Sequence, residues 1–158
     1  MREILLVRFG EVFLKGQNRP FFMKKLMDHI RQAVRPVDGR VWMSEGRFYV
    51  SDFTDMDECI RRVTRVFGVH SVSPAIEMDK DNFEAICEQA ARMMEPLSGT
   101  FKVLARRSDK RYPLDSPAIM REAGGYILDH VPQLTVDVNN PDHTMMIEIR
   151  DHAYLSVK

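Results

Sequence analysis

The chain has 158 residues, 44% of them apolar, and its 23 basic and 23 acidic side chains cancel to a formal net charge of zero. That composition suits a packed core in one domain or two small ones; it excludes a disordered chain and a uniformly basic nucleic-acid binder. The charge is unevenly spread: residues 1–35 carry eight basic and three acidic groups (+5), residues 36–101 seven and twelve (−5), and residues 102–158 eight of each.

Glu3 to Phe9 reads as a buried strand, with Ile4, Leu5, Leu6 and Val7 consecutive. This apolar run is too short, and too soon broken by Arg8 and Glu11, for a signal peptide or a membrane span. Gly10 to Asn18 is a loop, and Pro20 starts a helix that runs to about Arg35 with Phe22, Leu26, Ile30 and Ala33 as its apolar stripe. Arg40–Met43 and Arg47–Ser51 form a hairpin through Ser44-Glu45-Gly46. A second helix follows from Asp55, with Met56, Ile60, Val63 and Phe67 inward and Gly68 as its C-cap. Val69 to Met78 is extended, with Val72 and Ile76 inward. The order β-α-β-β-α-β over residues 1–78 is that of a ferredoxin-like domain.

Residues 79–158 make a second unit, reached through the linker Met78-Asp79-Lys80-Asp81. Asp81 and Glu84 resemble a capping box ahead of a helix that buries Phe83, Ile86, Cys87, Ala90 and Met94. A strand over 101–106 runs into the loop Arg106-Arg107-Ser108-Asp109-Lys110-Arg111-Tyr112-Pro113. A helix over 116–130 follows, capped by Asp115 or Ser116 with Pro117 in its first turn. The next strand, 134–138, must pair parallel to the first through a right-handed crossover. The turn cluster Asn139-Asn140-Pro141-Asp142 then leads to two strands near 145–149 and 153–157. The fold class is therefore α+β: a ferredoxin-like domain followed by an α/β domain with a mixed sheet.

Five basic residues and one acid lie between Lys102 and Arg111, with Tyr112 just beyond and a helix N-terminus one loop away. Cations, a ring and free helix amides can each bind a phosphate or a base. Gly124-Gly125 sits inside a helix, where glycine costs roughly 1 kcal/mol per residue, so another element or a nucleic-acid backbone must approach closely there. Catalytic groups are not found: His29, His70, His130, His143 and His152 are scattered without a carboxylate at ligand spacing. Cys59 and Cys87 are isolated helix residues, which predicts inert thiols, no metal and a reducing cytoplasm. Trp42 is expected to pack in the core.

Two stretches carry a resemblance. VRFGEVFLKGQNRPFF, through Arg8, Phe9, Gly10, Glu11, Leu14, Lys15, Gly16, Asn18, Arg19 and Phe22, resembles the amino-terminal signature of the tRNA 4-thiouridine synthetase (tRNA sulfurtransferase) family. FKVLARRSDKRYPLDSPAIMREAGGYIL and VDVNNPDHTMMIEIR resemble that family's THUMP domain, through Lys102, Arg106, Arg107, Lys110, Pro113, Ser116, Gly124, Gly125, Asn140, Pro141, Glu148 and Arg150. The resemblance implies a module that docks tRNA by its acceptor stem and 3′ end. Sulfur would be installed by a third domain that binds ATP and carries a catalytic cysteine. The phosphate loop of that domain, of the type Ser-Gly-Gly-x-Asp-Ser, does not occur here, so the expectation is no catalytic residue and no cofactor in this chain, with a catalytic domain acting in cis or in trans. The expected RNA contacts are Lys15, Asn18, Arg19, Lys102, Arg106, Arg107, Lys110, Arg111, Tyr112 and Asn140. Two other classes compete. One is a protein-interaction or homodimerisation module using a sheet edge. The other is a small acylphosphatase-like hydrolase, against which Glu11 counts because it would repel phosphate.

Overall fold

The computed structural model describes residues 1–10, 16 and 18–158. The chain divides into two compact units, Glu3–Pro74, and Ala75–Lys158 with Met1–Arg2. The division falls inside a strand, four residues before the boundary expected at 78/79.

The first unit contains β1 (Arg2–Phe9), α1 (Arg19–Val34), β2 (Arg40–Ser44), β3 (Arg47–Ser51), α2 (Met56–Thr64) and the opening part of β4 (Val69–Met78). Its strands lie in the order β2-β3-β1-β4, the ferredoxin-like arrangement. The β2–β3 hairpin turns on Glu45 (φ 50°) and Gly46 (φ 78°). Two consecutive positive φ values give the turn whose twist matches the flanking strands. Trp42 and Tyr49 face each other across this hairpin. Their rings stack at 4.4 Å, and Trp42 Nε1 donates to Ser51 Oγ at 3.2 Å. Trp42 is therefore half-buried on a strand face rather than in the core.

Leu5, Val7, Leu26, Ile30, Phe48 and Val50 make the centre of this core. Two expectations need correcting. Helix α1 buries Leu26, Ile30 and Val34, while Phe22 at its start is 42% exposed. Helix α2 stops at Thr64 and is capped by Arg65. The backbone then tightens, with the amide of Val66 on the Val63 carbonyl and that of Val69 on the Val66 carbonyl. Gly68 at φ 99° belongs to this turn, and Phe67 is 84% exposed.

The second unit contains the end of β4, α3 (Phe83–Met94), β5 (Gly99–Arg107), α4 (Ser116–His130), β6 (Leu134–Val136), β7 (His143–Ile149) and β8 (Ala153–Val157). Its strand order is β4-β8-β7-β5-β6. β5 runs parallel to β6 and β7, while β8 runs antiparallel to β7 and β4. The sheet is mixed because α4 makes the crossover between β5 and β6, whereas short turns join β7 to β8. Ile86 and Met94 of α3 and Ile119 and Ile127 of α4 bury against Phe101, Met145 and Ile147 of the sheet. The cap of α3 is Asn82, whose side chain accepts the Ala85 amide at 3.1 Å. The expected capping box at Asp81 is displaced by one residue, because the Asp81 amide is already bound to Asp79 Oδ1 at 2.8 Å. Strand β6 ends at Val136, short of the expected 138, because Asp137 Oδ1 accepts the amides of Asn139 and Asn140 and turns the chain.

Candidate nucleic-acid interface

The segment after β5 is held in one shape by bonds from three directions. Ser108 extends the ladder, its amide donating to the Ile149 carbonyl at 2.9 Å. Asp109 Oδ1 accepts the Arg111 amide at 3.0 Å, an Asx turn. Asp109 Oδ2 accepts from Lys80 Nζ at 2.8 Å. The same ammonium donates to the Arg150 carbonyl in the β7–β8 turn, also at 2.8 Å. This charge-assisted bond from Lys80, with the Arg111 amide, holds the Asp109 carboxyl below its ordinary value of 3.8.

Arg107 faces inward. Its Nη1 donates to the carbonyls of Tyr112 at 3.0 Å and Lys110 at 3.3 Å. Tyr112 is 8% exposed, and its hydroxyl donates to the Lys80 carbonyl at 2.8 Å. Burial pushes its phenol up to about 12. The ring is a floor for the loop and offers no face to a base, so the expected stacking role is withdrawn. Arg107 likewise serves as a staple across the loop.

What remains outward is cationic. Arg106 and Lys110 are exposed, and the Arg111 side chain is 96% exposed, with Asp109 3.9 Å away. Helix α4 begins immediately after, but Asp115 caps it by accepting the Ala118 amide at 2.9 Å. A carboxylate therefore already occupies the helix start, and the anion attraction rests on the loop cations.

The other expected contacts are spread out. Lys102 is half-buried on β5. Asn140 is exposed in the turn before β7, at the far end of β5: Phe101 pairs with His143, whereas Arg107 pairs with Ile149. Six residues of strand separate these ends by roughly 20 Å. Asn18 and Arg19 are exposed at the start of α1 in the first unit. Lys15, like most of the Gly10–Asn18 loop, lies outside the described residues.

Two features were missed from sequence. One is Lys80, the single cation in an otherwise acidic linker, which is the only signal that could have marked it. The other is an open groove of about 590 Å³ beside β5, lined by Lys102, Leu104, Arg121, Gly124, Gly125 and Val138 among others. Among the described residues there is no cluster of three or more His, Cys, Asp or Glu able to hold a metal, and no helix long and apolar enough to cross a membrane. Burial pushes both thiols up to about 11, Cys59 with help from Asp55 and Cys87 with help from the carboxylates of Glu122, Glu84 and Glu88.

Fold and surface together define a two-unit α+β module whose second unit displays a clamped cationic loop. The chain belongs to the THUMP domain family, matched over residues 80–158, with the ThiI ferredoxin-like domain family matched ahead of it over residues 4–73. It is 43% identical to a probable tRNA sulfurtransferase of Acetivibrio thermocellus, over 98% of this chain and 42% of that protein. A probable tRNA sulfurtransferase of Macrococcus caseolyticus is also 43% identical, over 96% of this chain and 39% of that protein. The chain thus spans about two fifths of the length of these curated relatives. Among solved structures, PH1313 from Pyrococcus horikoshii superposes with a TM-score of 0.83 at 33% identity, covering 99% of this chain and 54% of that one. A 4-thiouridine synthetase–RNA complex with bound ATP superposes with a TM-score of 0.84 at 26% identity, covering 100% of this chain and 41% of that one.

Proposed function

We propose that this chain is an RNA-docking module that holds tRNA by its acceptor stem and 3′ end, for uridine thiolation by a catalytic domain outside the chain. The observation that carries this reading is the clamped loop, which presents Arg106, Lys110 and Arg111 outward while Lys80, Asp109, Arg107 and Tyr112 fix its backbone. A rigid loop loses little conformational freedom on binding, so its cations engage phosphates at low ordering cost. Phosphate contacts set orientation; folded shape and the unpaired end supply selectivity. The relatives named tRNA sulfurtransferase and the neighbour solved with RNA support the choice of tRNA over other polyanions. In this reading ATP belongs to the catalytic domain, this chain binds no cofactor, and the module works in the cytoplasm.

Three loop cations, with Arg19 and Lys15 of the first unit, would neutralise about four to five phosphates, for a log–log salt slope of roughly −3 to −4. The test is a gel-shift series on the purified chain over a salt range, with full tRNA and with tRNA trimmed of its single-stranded 3′ end. Steep salt dependence and weaker binding of the trimmed tRNA are expected. Absence of tRNA binding, or a flat salt titration, overturns the reading.

A further inference from the structure

In the first unit, helix α1 and the β2–β3 hairpin are separated by an open groove of about 530 Å³. Met23 and Met27 line it from the helix, Met43 and Phe48 from the strands, and Arg19 and Lys24 stand at its rim. Met23 and Met27 are only half-buried and Met43 is 52% exposed. A strip of apolar surface is thus left in water beside the core.

The lining decides what can enter. A base needs an exposed aromatic face or polar groups at its edges. Phe48 offers no face, being 1% exposed and packed against Phe9 at 5.5 Å between ring centres. Methionine thioethers donate no hydrogen bond and accept only weakly; they are unbranched and polarisable, and adapt to aliphatic side chains of varied shape. The occupant is therefore apolar where it enters. Its charge follows from the surroundings. No acid lines the groove among the described residues. The side chains of Lys24 at the rim and of Arg40, exposed at the start of β2, enter no ion pair or hydrogen bond there. The third feature is a strand edge. β2 is outermost in its sheet and pairs with β3 alone among the described residues, so its outer N–H and C=O groups can take another strand. Val41 and Met43, two apart, share the face toward α1: Val41 lies in the core and Met43 in the groove. A strand added beside β2 would drop its alternate side chains into the methionine groove.

We propose that this groove docks an extended, acidic and apolar segment of a separate partner protein, which adds a strand beside β2. Alternate aliphatic side chains of the segment fill the space between Met23, Met27 and Met43, and its carboxylates meet Lys24 and Arg40. Five residues suffice, the length of β2. A second copy presenting its own β2 would bring the same cations to the same place, so like charges oppose self-pairing. The proposal stands apart from the RNA-docking reading, whose clamped loop lies in the second unit.

The test uses the whole chain, with carbon-13 in its methionine methyls, and two short capped peptides, one alternating valine with glutamate and one alternating valine with lysine. The glutamate peptide should shift the methyl signals of Met23, Met27 and Met43 and leave those of Met78, Met94 and Met145 in the second unit unmoved. The lysine peptide should shift none of them. Lys24→Glu/Met43→Glu changes two exposed positions and should melt within about 4 °C of the parent. It should bind the glutamate peptide at least tenfold more weakly, read at Met23 and Met27, and bind tRNA as the parent does. Lys24→Ala, which removes no apolar contact from the groove floor, should weaken the same peptide about threefold. Equal binding of the two peptides, shifts confined to other methionines, or no shift with either peptide overturns the proposal. So does a shift of the same methyls on raising the protein concentration alone, which would give the groove to a second copy, and so does a tenfold loss of tRNA by the double variant, which would give it to RNA. The peptide measurements need no tRNA, so failure of the parent to bind tRNA refutes the docking reading and leaves this proposal to be decided by the peptides.

Discussion

Tyr112→Phe separates a structural tyrosine from a base-stacking one. The substitution removes a single oxygen, the hydroxyl that donates to the Lys80 carbonyl at 2.8 Å, and leaves the ring in place. A neutral hydrogen bond of this kind contributes about 1 kcal/mol net, and the stranded carbonyl adds to the loss, so the change should cost about 1–2 kcal/mol. For a domain of 60–100 residues each kcal/mol moves Tm by about 4–8 °C; the second unit should therefore melt roughly 5–10 °C lower. Tyr112→Ala also empties a site in the core cluster and should cost about 3–5 kcal/mol. Circular dichroism melts and amide exchange at Ser108 and Arg111 would follow both. At a temperature where Tyr112→Phe remains folded, its RNA affinity should fall only as far as the loop loosens, and high-temperature exchange should rise in step. A stacking tyrosine behaves oppositely: Phe would be silent in stability and in binding, and Ala would weaken RNA without lowering Tm. That pattern would refute the buried-floor argument.

Charge reversal at Lys110 and Arg111 should lower tRNA affinity at least tenfold, with Tm within about 4 °C, because exposed charges usually contribute within about 0.5 kcal/mol; reversal of Arg61 of α2 and of its C-cap Arg65, measured by the same gel shift, should leave binding within threefold. Cys59 and Cys87 should resist a thiol reagent in the native state, since at pH 8 a thiol held near 11 is thiolate in only about 0.1% of molecules; prompt labelling of both before unfolding would contradict their burial. The Asp109 carboxyl is held below its ordinary 3.8, so the stability it lends is present above that pH and lost as the pH falls below it. Denaturant melts of Lys80→Met and the parent should therefore differ by a constant amount from pH 5 to 8 and by less in acid below about 3.8, where the Lys80 bond to the Arg150 carbonyl is what remains of the difference.

The order of elements was legible because periodicity and punctuation agree almost everywhere: the alternation in β7, the Pro117 start of α4 and the Glu45-Gly46 turn each point to the element observed. The misreadings arise where a local side-chain bond competes with the pattern. Asp137 captures two amides and ends β6 two residues early; Asp79 takes the Asp81 amide and moves the α3 cap to Asn82. At the loop, the count of cations was visible, but their division of labour was not. Arg107 and Arg106 are adjacent and chemically identical, and only the carbonyls of Lys110 and Tyr112, brought round by the turn, decide which of them is spent inward. Lys80 was invisible for the same reason, since its partners lie 29 and 70 residues away.

The place of β8 bears on how the second unit comes into being. This strand follows every other element of the unit in the chain, yet it sits between β4 and β7, with Leu155 opposite both Ile76 and Ile147. As the polypeptide emerges from the ribosome, β4 appears early and must wait, its second edge unsatisfied, until Ala153–Val157 are out. α3 and the β5-α4-β6 crossover can collapse meanwhile, but they cannot join β4 to the sheet. Folding of this unit is thus closed by its final strand, and nascent chains arrested before Tyr154 should remain protease-sensitive across β4 while those released past Lys158 become resistant in a single step.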